Sequence, residues 1–188
     1  MNRILFAVLI FALTACNQKQ AKIETKTLDF GSFSIETPLS WNKIERNGID
    51  SYVGGIAIDK NDTVSFDLGW YSNKLTEEDP LILDSSIISH IDTSLIDTNG
   101  AVFVNRSAAV DRDKFRKNNV RWDTIDGRNV KIVYPRRPGT GITGIYIDSL
   151  WGSTVAVDRF NLYGIDLKPE NEAMMLTVIH TLKFHRKK

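Results

Sequence analysis

The chain has 188 residues, and its content of 42% hydrophobic, 25% charged and 10% aromatic residues fits one globular domain and excludes disordered and fibrous classes. Its 24 basic and 23 acidic residues nearly balance, which argues against a nucleic-acid-binding protein, because such a domain carries a concentrated basic face. A single cysteine cannot form a disulfide within its own chain, so we expect the core to supply the stability.

The N-terminal residues have the pattern of an export signal. A basic start at Arg3 precedes an unbroken apolar run over 4–13, which is typical of a signal peptide and too short for a membrane-spanning helix of about 20 residues. The run closes with the letters LTAC, which resemble a bacterial lipobox. That resemblance implies removal of residues 1–15 and a diacylglycerol thioether on Cys16, with a further acyl chain such as palmitate. An ordinary signal peptide beside a bystander cysteine is the alternative.

The lipobox resemblance implies a lipoprotein of the bacterial cell envelope, held on a membrane by several acyl chains. Asn17 stands where aspartate often marks retention in the inner membrane, so the outer membrane is favoured in a host that has one. Residues 16–26 contain the cysteine and a polar stretch, which predicts a tether. Residues 27–184 are predicted to form a single domain, followed by a basic tail at 185–188.

The sequence pattern in the first part of the domain predicts three half-buried strands. Apolar and polar residues alternate over 28–36, 50–59 and 63–71. A bulge or a turn is expected at Gly31. The segment Lys60-Asn61-Asp62 consists of turn formers, so it predicts a hairpin between the second and third strands.

Residues 76–118 read as an irregular insertion. Helical spacing is shown by Ile87, Ile88, Ile91 and Leu95. The density of Ile and Thr between 81 and 105 favours strands instead, and two strands are the preferred interpretation. Asn99-Gly100 is a hairpin signal with a predicted strand at 101–104 after it. Residues 111–118 start acidic and end basic, as the helix dipole prefers, which predicts a short helix.

The last part of the chain predicts four strands and a closing helix. A hairpin turns at Asp126-Gly127. The strands lie at 120–125, 129–134, 145–148 and 155–163, with a turn at Trp151-Gly152-Ser153. Pro169 suits the first position of the helix. Its buried stripe comprises Met175, Val178, Ile179 and Leu182. Together the elements predict an α+β fold: a mostly antiparallel β-sheet built from hairpins, covered by this amphipathic helix and one shorter helix.

Both ends of the domain are similar to a known group. FSIETPLSW at 33–41 and PENEAMMLTVIHTLKF at 169–184 resemble the bookends of the PsbP-like α/β/α sandwich, which many small bacterial lipoproteins of unknown role share. That resemblance implies the sandwich fold and no single activity, so it transfers no site residue.

One glycine-rich segment matches G-x-G-x-x-G through Gly139, Gly141 and Gly144. A dinucleotide site needs this motif between a strand and a helix, whereas here it leads into a predicted strand, so a connecting loop is expected. An alternative is that its backbone amides, beside Arg136 and Arg137, hold an anionic group.

Histidines and nucleophiles predict no site. His180 and His185 straddle the helix end and His90 lies in the insertion, so we expect no metal and no cofactor. Ser85 and Ser86 lie near His90, but no nucleophile elbow surrounds them, and no catalytic residue is assigned.

Aromatic residues suggest a binding surface. Trp70 and Trp122 align with the apolar faces of their strands and are expected in the core. Tyr71 and Tyr146 have the opposite parity and are candidates for a partner face. The expected function is a non-enzymatic accessory or protein-binding module that contacts an envelope protein. A small-ligand binder or an enzyme using Arg136, Arg137 and the glycine loop is the alternative.

Overall fold

A computed structural model of the chain describes residues 24–86, 90, 92, 101–105, 110–152 and 156–185. One α-helix, α1, spans Pro169–Val178 among these residues. The strands in chain order are β1 Thr25–Asp29, β2 Phe33–Pro38, β3 Asn42–Glu45, β4 Tyr52–Ala57, β5 Thr63–Gly69, β6 Ile82–Asp84, β7 Val102–Val104, β8 Asn118–Ile125, β9 Arg128–Pro135, β10 Ile142–Gly152, β11 Val157–Ile165 and β12 Lys183–Phe184.

Seven strands form an antiparallel large sheet in the order β3-β4-β5-β11-β10-β9-β8. Both predicted hairpins are confirmed, since β4 pairs with β5 and β8 pairs with β9. The second hairpin turns through Asp126 at φ 49° and Gly127 at φ 72°. Two consecutive positive φ angles match the twist of the flanking strands in a two-residue turn.

A small sheet, β1-β2-β12, packs with α1 against one face of the large sheet, which we call the covered face. Phe33 on β2 is fully buried at this contact. Its ring stacks on Phe30 at 4.7 Å and meets the edges of Phe66 and Phe160 at 4.9 Å each. The α+β class is therefore confirmed, with a mostly antiparallel sheet covered by a C-terminal helix.

The C-terminal helix α1 starts where the sequence predicts, and the predicted residues are buried. It begins at Pro169, as predicted, and continues into a 3₁₀ turn at Ile179–Thr181. The four residues of the predicted stripe are all buried. After the turn, β12 pairs with β2, so the chain ends its last strand beside its second.

The insertion departs from a simple hairpin. β6 and β7 pair in parallel, which confirms strand structure at both places. The residues with helical spacing, Ile87, Ile88, Ile91 and Leu95, and the Asn99-Gly100 signal lie outside the described residues. The expected helix at 111–118 is only a 3₁₀ turn, Arg112–Phe115, because the chain from Asn118 onward pairs with β9.

Several boundaries also differ from the sequence reading. β1 begins at Thr25, two residues inside the expected tether, since Thr25 and Lys26 pair with β2. β10 is longer than expected because it pairs with β9 on one side and β11 on the other. Trp151 and Gly152, expected in a turn, belong to its C-terminal part and pair with β11.

Opposite the covered face lies the outer face of the large sheet, which a short segment crosses. Residues 72–77 form this strap. Leu75 is buried there against Val133 and Tyr146. The Lys131 ammonium donates to the carbonyls of Lys74 and Leu75 at 2.9 and 3.1 Å, and burial lowers the Lys131 pKa. The strap therefore turns the middle of the outer face into a second, smaller core.

Two tryptophans expected in the core are exposed. Trp70 lies one residue past the end of β5 and is 50% exposed. Trp122 lies opposite Lys131 on the outer face and is 61% exposed. Its strand is the last of the sheet, and the strap reaches only the start of that strand, where Glu77 accepts the backbone N–H groups of Lys117 and Asn118. Their expected burial is wrong for this reason.

Asp126 joins the second hairpin to the small sheet. Its carboxylate accepts the Phe184 backbone N–H at 3.0 Å and the Arg128 guanidinium at 2.9 Å, and Lys183 Nζ lies 3.4 Å away. The bond from the Phe184 amide is the main reason that the Asp126 pKa lies below its usual value. Folding therefore favours the ionised carboxylate.

We expect Asp126→Asn to lower the free energy of unfolding by about 1 kcal/mol at pH 7, because it removes a charge-assisted contact while asparagine still tolerates positive φ. A depressed pKa stabilises the fold above the unfolded value of about 3.9, and this contribution is lost as pH falls through the folded pKa. The wild-type advantage should therefore shrink between pH 5 and pH 3 in urea unfolding experiments. A constant advantage over this range would contradict the linkage.

Candidate functional site

A concavity of about 850 Å³ lies at one end of the large sheet, and we call it the aromatic cleft. It is lined by residues 46–53, residues 68–71 and Asp158. β4 and β5 are antiparallel with Tyr52 opposite Leu68, so the start of one strand and the end of the other lie side by side. The hairpin thus brings together two segments that are distant from its turn.

Large apolar side chains face solvent in the cleft. Tyr71 is 77% exposed, Trp70 is half exposed, and Ile49 is fully exposed. Isolated exposed apolar residues are ordinary, but several around one concavity mark an interaction surface. Tyr52 adds a fourth, with its hydroxyl donating to the Phe30 carbonyl at 2.9 Å, and burial raises the pKa of that hydroxyl.

The backbone that carries Trp70 and Tyr71 is fixed by hydrogen bonds. The Arg159 guanidinium donates to the Trp70 carbonyl. The Ser72 hydroxyl has three carbonyl oxygens within reach, those of Asp67, Gly69 and Arg159, at 3.0 to 3.2 Å. The backbone beneath the two rings is therefore held in place, so a ligand has to order only their side chains.

The cleft also carries charge. Arg46 donates to the Ser65 hydroxyl at 2.9 Å. Asp50 and Asp158 line the cleft, and neither side-chain carboxylate forms an ion pair or a hydrogen bond with any part of the chain that the structure describes. The site therefore combines aromatic surface with two unpaired carboxylates and one arginine, whose guanidinium is held by Ser65.

The glycine-rich segment has a structural role and does not form the anion site that is its alternative interpretation. Residues 136–141 connect β9 to β10, so a connecting loop is confirmed there, whereas Ile142, Thr143 and Gly144 already belong to β10. The Gly139 N–H donates to the Glu172 carboxylate at 3.1 Å, and the Gly141 N–H donates to the Asp166 carboxylate at 2.6 Å. These amides already hold negative side chains, so the geometry argues against an anion site.

Arg136 and the third glycine are also held by the fold, whereas the Arg137 side chain forms no hydrogen bond or ion pair among the described residues. The Arg136 guanidinium donates to the Asp113 carbonyl and its backbone N–H to the Lys117 carbonyl. Arg137 is exposed, and its carbonyl accepts the Thr140 N–H. Gly144 lies inside β10, between β9 and β11. None of these residues lines the aromatic cleft.

Tyr71 and Tyr146 do not form a common face. Tyr146 is only 3% exposed, because Leu75 of the strap covers it. Its hydroxyl donates to Asp148 at 2.6 Å, and burial and this bond raise its pKa well above the usual value. The expectation of a partner face at Tyr146 is wrong, whereas Tyr71 is free to contact a partner.

Other polar groups are engaged in local structure. Ser86 donates to Asp84 at 2.7 Å, and His185 Nε2 lies 3.2 Å from the Ser34 hydroxyl. Across the described ranges, no cluster of three His, Cys, Asp or Glu residues has the arrangement to hold a metal ion. Nor does any helix in those ranges have the length and hydropathy to cross a membrane. Cys16 lies outside them.

Sequence reasoning missed Tyr52, Ile49 and Trp70 as members of the site. An isoleucine among Asn47, Gly48 and Asp50 was an available signal, since turns seldom place a large apolar side chain without a contact for it.

Comparison with protein-family models, with curated proteins and with solved structures finds no match. The function must therefore be argued from the site itself.

Gly144→Ala should destabilise the fold by about 1–3 kcal/mol, the usual cost of forcing extra atoms into a packed region. A Cβ at this position would collide with the Leu162 carbonyl oxygen and with Tyr163. Gly152→Ala is the matched control, because a Cβ there meets no atom within 4 Å. Urea unfolding followed by tryptophan fluorescence makes the comparison, and equal stabilities would refute a packing role for Gly144.

Proposed function

We propose that the chain is a membrane-anchored lipoprotein of the bacterial cell envelope and acts as a non-enzymatic accessory module. Its aromatic cleft binds a segment of another envelope protein. The observation that carries this proposal is the grouping of exposed aromatic rings with two unpaired carboxylates around one concavity.

The proposed lipid anchor limits the distance between the aromatic cleft and the membrane. With lipid on Cys16 and β1 starting at Thr25, the eight intervening residues 17–24 reach at most about 29 Å, at 3.3–3.6 Å per residue. The domain then stays within a short distance of the bilayer, in the outer membrane of a host that has one. A partner is therefore met at the membrane surface rather than in bulk solution.

The chemistry of the cleft defines the partner segment. Aromatic side chains are typical of interface hot spots, and they take up apolar side chains. The carboxylates of Asp50 and Asp158 favour a cation, which can also lie over the face of Trp70. The segment that fits is an apolar residue flanked by lysine or arginine.

The small-ligand alternative loses its main support. It relied on the loop of Arg136, Arg137 and the glycines, where the amides of Gly139 and Gly141 already bind carboxylates of the chain. A ligand there would have to displace Glu172 or Asp166 from well-formed hydrogen bonds.

The anchor is tested by Cys16→Ala. Loss of the thiol removes the acceptor of the lipid, so the variant should leave the lipid-modified membrane fraction and fail to incorporate labelled palmitate. Membrane fractionation with a high-salt wash, together with metabolic labelling, measures both properties. Unchanged labelling and fractionation would exclude the anchor.

The cleft is tested by photocrosslinking in cells. A photoreactive residue at position 71 should form a specific adduct, and Trp70→Ala should reduce its yield about tenfold, a typical hot-spot loss. Asp50→Asn should reduce it less, because an ion pair formed by an exposed carboxylate contributes little. Ile165→Ala removes a side chain of similar exposure elsewhere and should leave the yield unchanged.

The partner peptide in the crosslinked adduct tests the proposed composition of the partner segment. Mass spectrometry should map it to an apolar residue next to lysine or arginine. An adduct unaffected by Trp70→Ala, or mapped to an acidic segment, would contradict the proposed partner.

A further inference from the structure

The two edges of the large sheet differ. β3, at one end, has four residues, whereas β8, at the other, has eight. A long, unprotected edge strand exposes backbone donors and acceptors that can pair with another strand. β8 contains no proline or glycine that would interrupt such pairing.

The register of the hairpin identifies which backbone groups face outward. Ile125 and Arg128 flank the two-residue turn and form its closing hydrogen-bonded pair. Hydrogen-bonded and non-bonded pairs alternate along antiparallel strands, so the N–H and C=O groups of Val120, Trp122 and Thr124 point away from β9. Thr124 N–H donates to the Asp123 side chain at 2.7 Å.

Outward backbone groups and exposed side chains coincide on the same residues. Val120 is 52% exposed and Trp122 is 61% exposed, and both lie on the outer face of the sheet. An added strand would satisfy the free amides and cover both side chains in one step, as strand addition does in peptide recognition.

The charged side chains of β8 indicate which strand can pair with it. Arg121 and Asp123 lie on the covered-face side of the strand and flank Trp122 symmetrically, one on each side. In a single chain, Arg121 lies 3.3 Å from Asp123, and His180 is within 3.5 Å of the same guanidinium. An antiparallel copy of this strand has the reverse charge order, so the strand is complementary to itself.

We infer that β8 pairs with β8 of a second copy of this chain about a two-fold axis at Trp122. Arg121 then faces Asp123 of the second copy, and Asp123 faces its Arg121. The amides of Val120 and Trp122 donate to the carbonyls of Thr124 and Trp122 of the second copy. The two large sheets become one continuous sheet, in an isologous interface that closes at two chains. This surface is separate from the aromatic cleft, so the inference does not rest on the proposed function.

A charge exchange between two copies tests the inference. Two differently tagged full-length chains are produced in one cell, and their co-purification from a detergent extract is measured. Wild-type copies should co-purify. When both copies carry Arg121→Asp, or both carry Asp123→Arg, like charges face each other twice and association should weaken about tenfold.

The decisive measurement mixes the two variants. A chain with Arg121→Asp beside one with Asp123→Arg has only opposite charges across the interface, so co-purification should return to near the wild-type level. Recovery requires both variants to fold, which separates an interface effect from misfolding. Glu45→Arg on β3 is the control at the other edge. Its side chain is exposed and forms no hydrogen bond or ion pair among the described residues, so association should not change.

Trp122→Cys provides a check on the register. Oxidation in membranes should give a disulfide-linked dimer, because directly opposed strand positions lie about 5.5 Å apart between Cα atoms, which a disulfide can span. The wild-type chain, with Cys16 alone, controls for other thiols. Wild-type copies that do not co-purify, mixed variants that stay apart, or a disulfide to a different protein would each overturn the inference.

Discussion

The contact of Phe33 with the rings of Phe30, Phe66 and Phe160 is the interaction on which the rest of the domain depends. It joins the small sheet to the large one, and β2, which carries Phe33, also pairs with both β1 and β12. The first and last strands of the domain are thus held through one central strand. Burial of several aromatic rings is among the largest contributions that a core of this size can draw on.

Local signals in the sequence were sufficient for much of this fold. The turns at Lys60-Asn61-Asp62 and Asp126-Gly127 use residues that favour tight turns, and Pro169 fits only the start of a helix, so both hairpins and α1 were predictable. The pairing of strands that are distant in the sequence cannot be predicted in this way. β5 lies next to β11, and β6 pairs in parallel with β7, through contacts that no local pattern encodes.

The burial of the side chains around the candidate site also depends on long-range contacts. Alternation assigns residues to two faces of a strand, but it does not say which face another segment covers. The sequence predicts Trp122 in the core, but this residue is exposed at the sheet edge. It predicts Tyr146 on the surface, but this residue lies under Leu75. Both errors follow from the strap, whose path across the sheet depends on tertiary contacts such as those of Lys131.

The position of β1 has a mechanical consequence. It is an edge strand of the small sheet, its first residue pairs with the last residue of β2, and the proposed tether enters at that end. A pull from the membrane would therefore load its backbone hydrogen bonds one pair at a time, while the Phe33 contact lies on the next strand. Detachment of β1 would lengthen the tether by about 17 Å, at 3.3–3.6 Å per residue, and Leu28 is the one buried side chain of this strand that it would withdraw from the core. The first strand would thus act as an extensible link that yields before the strand carrying Phe33 is loaded.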